Sequence, residues 1–114
     1  MAQKMGQIII PAANTDPITV TLSYTPSAVL LRACTQATGI IRSTGMVTPP
    51  DVNSFQHEKN GIQYGGELDL GWNVQENAGG GCYGTATISP GSFTLVPSDN
   101  SLSEPAIIYW LALD

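Results

Sequence analysis

The run Ile18-Thr19-Val20-Thr21-Leu22-Ser23 alternates apolar and hydroxyl side chains without a break. Only an extended chain puts every second residue on one face, so this run reads as a half-buried β-strand. The same grammar recurs along the sequence. Ala28 to Cys34 reads as a strand with Val29, Leu31 and Ala33 on its core face. Gly66 to Trp72 alternates with Leu68, Leu70 and Trp72 inward. Tyr83 to Ile88 and Ser92 to Val96 flank Pro90-Gly91, the pattern of a hairpin. Gln7 to Ile10, Gly39 to Arg42 and Ala106 to Leu113 complete the set. Helical periodicity is nearly absent. Asp51 to Lys59 has only Val52 and Phe55 as apolar residues and reads as a loop with at most one helical turn. The expectation is an all-β fold: an antiparallel β-sandwich, jelly-roll-like, of about seven or eight short strands. Residues 1–114 read as a single domain, with 1–16 available as an extended N-terminal arm.

The closing run departs from the simple pattern. Ile107, Tyr109, Leu111 and Leu113 share one face, and Ile108, Trp110 and Ala112 share the other. Both faces are apolar, whereas a sandwich covers only one face of each sheet. The second face must meet a loop such as Gly39 to Gly61 or a neighbouring subunit, and both alternatives stay open. If the second holds, Ile108 and Trp110 are the contacts to expect, with Ile8, Ile10 and Pro11 in an arm that docks on a neighbouring chain.

Charge narrows the function. Charged residues make up 11% of the chain, against about a quarter in ordinary proteins. A surface so poor in charge is suited to burial against other chains. The four bases, Lys4, Arg32, Arg42 and Lys59, are scattered, so no nucleic-acid footprint is expected. No apolar run reaches membrane-spanning length, and Gln7 to Ile10 is too short for a signal-peptide core. A soluble protein made in a reducing cytoplasm is expected. Cys34 and Cys82 then read as two buried thiols rather than a disulfide.

Chemistry is hard to assemble from these residues. The single histidine, His57, sits in a polar stretch, and no local signature pairs it with Cys34 or Cys82. One histidine and two distant cysteines make a poor zinc set. Asp99-Asn100-Ser101 with Glu104 is explained by ordinary turn chemistry. Gly79-Gly80-Gly81 lacks the Gly-Lys-Ser/Thr of a phosphate loop and reads as a turn or bulge. No enzyme, catalytic residue, metal or cofactor is expected. Trp72, Tyr83, Tyr64, Tyr24 and Trp110 would suit a sugar-stacking platform, although core packing is the plainer role for at least half of them.

Three segments carry a family resemblance. Tyr24-Thr25-Pro26-Ser27-Ala28-Val29-Leu30-Leu31 resembles an aromatic-x-Pro-x-Ala-Val-hydrophobic segment of small β-rich bacteriophage virion proteins, capsid decoration (cement) or tail-appendage domains. Gly91-Ser92-Phe93-Thr94-Leu95 resembles their later Gly-Phe-Thr-Leu strand, and Ile108 to Leu113 resembles their closing Tyr-x-Ala-Leu strand. Ser23 stands where those proteins usually have Gly, Ser92 is an extra residue, and Gly39 to Gly81 matches none of their segments. The resemblance implies a virion structural protein, assembled in the host cytoplasm. It implies self-association and contact with other virion proteins, a major capsid protein or tail proteins. The alternative is a tail- or fibre-associated receptor- or carbohydrate-binding β-sandwich module.

Overall fold

A computed structural model describes residues 2–35, 41–48, 52–59, 62–68, 72–77 and 80–114. They form an antiparallel β-sandwich of ten strands. The strands are β1 (Gln3–Ile10), β2 (Ile18–Thr21), β3 (Ala28–Thr35), β4 (Ile41–Thr48), β5 (Val52–Lys59), β6 (Ile62–Leu68), β7 (Trp72–Asn77), β8 (Gly80–Ser89), β9 (Ser92–Asn100) and β10 (Ala106–Leu113). One sheet has the order β1-β10-β3-β4-β5-β6, the other β2-β9-β8-β7. The chain changes sheet from β1 to β2, from β2 to β3, from β6 to β7 and from β9 to β10. That interleaving of first and last strands is the jelly-roll trait. The middle of the chain instead forms two meanders, β3 to β6 and β7 to β9.

The core lies where the inner faces meet. Val29, Leu31 and Ala33 of β3 are buried as their alternation predicts, and so are Phe93 and Leu95 of β9. Phe93 reaches across to Trp110 of the other sheet, edge to face, with ring centroids 5.2 Å apart. Such aromatic pairs add about 0.5–1.5 kcal/mol beyond the area they bury. Two glycines make room for the tryptophans. A Cβ on Gly6 would fall 2.7 Å from the Trp110 ring, and one on Gly84 would fall 2.7 Å from Trp72. Gly84 lies where the β8–β9 ladder shifts register, so Trp72 packs into a bulge.

The loop after β2 is held by its own polar groups. The Tyr24 hydroxyl donates to Ala112 O at 2.6 Å, and Gly91 N–H donates to Thr25 Oγ1 at 2.9 Å. Pro26 is fully buried. Gly91 sits at φ 72° after Pro90, the backbone a type II turn requires.

Several expectations change. Val52–Lys59 is strand β5, not a loop with a helical turn. It pairs with β4 on one side and β6 on the other, so neighbours fix a segment whose own apolar content is low. Gly39 to Gly61 therefore contributes β4 and β5 to the sheet rather than a cover over it; residues 36–40, 49–51 and 60–61 lie outside the described ones. Gly66 to Trp72 is not one strand, because β6 ends at Leu68 and β7, in the other sheet, begins at Trp72. Residues 69–71, Leu70 among them, lie outside the described ones. Gln7 to Ile10 is no free arm but the second half of β1, paired with β10 along its length.

Candidate interaction surface

The outward face of the six-stranded sheet is built by alternation and register. In β10 the inward residues are Ala106, Ile108, Trp110 and Ala112, all buried; Ile108 is 0% and Trp110 7% exposed. Ile107, Tyr109, Leu111 and Leu113 point outward. The two-faced strand thus exists, but in the opposite phase to the one expected: Ile108 and Trp110 belong to the core. Alternation cannot choose between two apolar faces. Room for the indole does, because its neighbour in the ladder is Gly6.

Register then assembles a patch. Met5 pairs with Leu111, Leu111 with Leu30, and Leu30 with Met46, one apolar row across four strands. Met5 is 71% exposed, and Leu30 and Met46 are exposed too. Two residues along, the next row is Gln7, Tyr109 and Arg32, all exposed. Beyond it lie Ile9, Ile107 and Cys34. Between the first two rows runs an open depression of about 540 Å³. Its floor is formed by Gly6, which has no side chain, and by Trp110 and Leu31, whose side chains turn to the core. One wall is aliphatic. The other offers a phenol, a guanidinium and an amide.

The remaining candidates disperse. Ile8 is half-buried, Ile10 is in the core and Pro11 is exposed. Pro11 O accepts a hydrogen bond from Asn14 N–H at 3.1 Å, closing a turn that puts Ala13 at φ 65°. The buried amide of Asn100 donates to Pro11 O at 2.9 Å and to Asn14 O at 2.8 Å, so Asn100 clamps this turn. Cys34 and Cys82 are both reduced; Cys34 is half-buried in the six-stranded sheet and Cys82 buried in the other. Burial pushes the Cys82 thiol above its usual 9.0; the nearby Trp72 indole lowers it and the charge of Asp99 adds to the rise. That indole N–H meets no hydrogen-bond partner of good geometry among the described residues, although the Cys82 sulfur lies near it. His57 lies on β5 opposite Ser43, and its side chain is outside the described set, as is that of Tyr64. Among the described residues no three His, Cys, Asp or Glu side chains converge as metal ligands, and no helix is long and apolar enough to cross a membrane.

The outward row is what sequence reading missed. Its signal was present: Tyr109 is the aromatic of β10 with a hydroxyl to leave in water, whereas Gly6 offers space on the other face. A scan against family models finds no match to this chain, and a search of curated proteins finds none either.

Proposed function

We propose that this chain is a non-enzymatic structural protein of a bacteriophage particle, a capsid decoration protein that stabilises the particle through subunit contacts. The observation that carries the adhesive part is the outward row Met5–Leu111–Leu30–Met46, exposed at every residue but the half-buried Leu111. Contiguous apolar surface on a soluble domain marks a contact site. The virion part rests on the three resembling segments. Two of them sit at structural joints: Tyr24, Thr25 and Pro26 lock the loop after β2, and Phe93 meets Trp110 in the core. The carbohydrate-binding alternative has less to work with, since Trp72 and Trp110 are both in the core.

The test is fractionation of particles on a density gradient, with the wild-type chain and with Leu111→Asp. The wild type should travel with the particles at fixed stoichiometry, and Leu111→Asp should fall to the unbound fraction while keeping its fold by circular dichroism. A wild-type chain found only in the unbound fraction sinks the virion reading. A Leu111→Asp chain that still travels with particles sinks the role of this face.

A further inference from the structure

A sandwich has four sheet edges, and three of these are poor templates for another strand. Strand β2 has only four residues. The β7 ladder shifts register between Gln75 and Asn77, and the β5–β6 ladder shifts between Gln56 and Glu58. Short strands and bulges are the usual ways of blunting an edge. Strand β1 differs. It runs eight residues in unbroken register with β10, and no described segment pairs with its other side.

The hydrogen-bond phase of that edge is readable. Asp114 N–H donates to Ala2 O at 2.9 Å, which makes Ala2 and Asp114 a hydrogen-bonded pair. Such pairs alternate along an antiparallel ladder. Lys4, Gly6, Ile8 and Ile10 therefore spend their backbone groups on β10, and Gln3, Met5, Gln7 and Ile9 point theirs to the open edge. Those same odd residues carry the outward side chains, including exposed Met5 and Ile9.

We infer that β1 pairs antiparallel with β1 of a second copy across a two-fold axis at Gln7. Gln7 then faces its own copy, and Met5 faces the partner's Ile9, each a hydrogen-bonded pair. The row Met46–Leu30–Leu111–Met5 runs on through the partner's Ile9 to the partner's Ile107. Charge selects this centre. An axis at Met5 would bring the two Lys4 side chains diagonally opposite, roughly 7 Å apart, where like charges repel. The axis at Gln7 separates them by six residues. This pairing deepens the assembling role proposed above and rests on it for its use, but its test needs no particle. An edge-to-edge contact buries less than the ~800 Å² per partner of a standard interface, so the dimer is concentration-dependent.

The test is sedimentation equilibrium of the full chain from roughly 1 µM to 1 mM, with Gln7→Pro and Gln7→Cys alongside. Proline at position 7 removes only the edge-facing donor, a place where strands accept it. Wild type should dimerise, and Gln7→Pro should stay monomeric. Under oxidation in a Cys34→Ser background, Gln7→Cys should form a disulfide-linked dimer. Paired Cα atoms at about 5.5 Å lie within the about 4.4–6.8 Å that a disulfide spans. Met5→Cys, offset by four residues from its copy, should not cross-link. A wild type that stays monomeric throughout overturns the pairing. So does a dimer that survives Gln7→Pro, or a Met5→Cys cross-link in place of the Gln7→Cys one. A monomer that binds only another protein's strand also overturns it. None of these outcomes touches the particle experiment, so the two proposals fail separately.

Discussion

On the four-stranded sheet the side chains that point away from the core include Thr19 and Thr21 of β2, Ser92, Thr94 and Val96 of β9, and Tyr83, Thr85 and Thr87 of β8. On the six-stranded sheet they include Met5, Gln7 and Ile9 of β1, Tyr109 and Leu111 of β10, Leu30 and Arg32 of β3 and Met46 of β4. Thr19, Thr94 and Thr87 lie in register across three strands, Thr21 lies opposite Ser92, and Thr19 and Thr94 share a hydrogen bond at 2.9 Å. β-Branched hydroxyl residues satisfy strand propensity and water at once. The aliphatic members of the second set serve only the strand. The part of a Met or Leu side chain that stays wet gains nothing on folding. Hydroxyls thus dominate the outer face of one sheet, whereas the other carries a continuous apolar row.

The sharpest way to break this comparison is to exchange the faces of one strand. Trp110→Ala removes a core ring packed on Phe93 and should cost about 3–5 kcal/mol in urea unfolding. Tyr109→Ala, one residue away on the outer face, should stay within about 0.5 kcal/mol. Equal costs would mean that both faces of β10 are covered, and the comparison would fail.

That pair of residues also measures what the sequence makes legible. The β class, the core faces of β2 and β3 and the Pro90-Gly91 hairpin were readable, because polar or small residues concentrate on one face of each run. β10 was readable as a strand but not in phase, because Ile107, Tyr109, Leu111 and Leu113 are as apolar as Ala106, Ile108, Trp110 and Ala112. The phase is set by a glycine about a hundred residues away in sequence, Gly6, which only the β1–β10 register brings beneath the indole. Strand β5 was hidden for a different reason. Its ladders to β4 and β6 are backbone hydrogen bonds, and these leave no mark on residue type. The apolar row itself draws one residue from each of four strands, so no local window contains it.

Gly6 offers a smaller and more specific lever. Gly6→Ala puts a Cβ 2.7 Å from Cζ2 and 2.9 Å from Cε2 of Trp110. The ring is wedged against Phe93 and cannot simply swing away. Overpacking of this kind should cost about 1–3 kcal/mol. The control is Gly6→Ala with Trp110→Phe, whose combined cost should fall below the sum of the two single changes by more than about 0.5 kcal/mol. Strict additivity would show that the glycine does not set the phase of β10.

Smaller still is the effect of finishing the contact face for solvent. Met5→Thr, Leu111→Thr and Met46→Thr together would give the six-stranded sheet the hydroxyl surface of the other one. Each change should shift stability by no more than about 0.5 kcal/mol, since none removes core packing. Binding of a hydrophobic dye to the native protein should drop sharply. A melting temperature that collapses instead would place this row inside the folding core.

The two thiols give the finest comparison, one on each sheet. Cys34 is half-buried and should react with iodoacetamide in the native protein, while Cys82 should react only on unfolding. Their difference also has a pH signature. Burial, the largest cause, raises the Cys82 thiol above 9.0 in the folded chain. The folded state therefore holds this proton more tightly than the unfolded state does. Its contribution is complete below about pH 9 and is lost as pH rises through the folded value. The urea midpoint should fall between about pH 8 and pH 10, and Cys82→Ala should flatten that decline while Cys34→Ala leaves it in place. A decline that survives Cys82→Ala unchanged would remove Cys82 as its source and as the buried member of the pair.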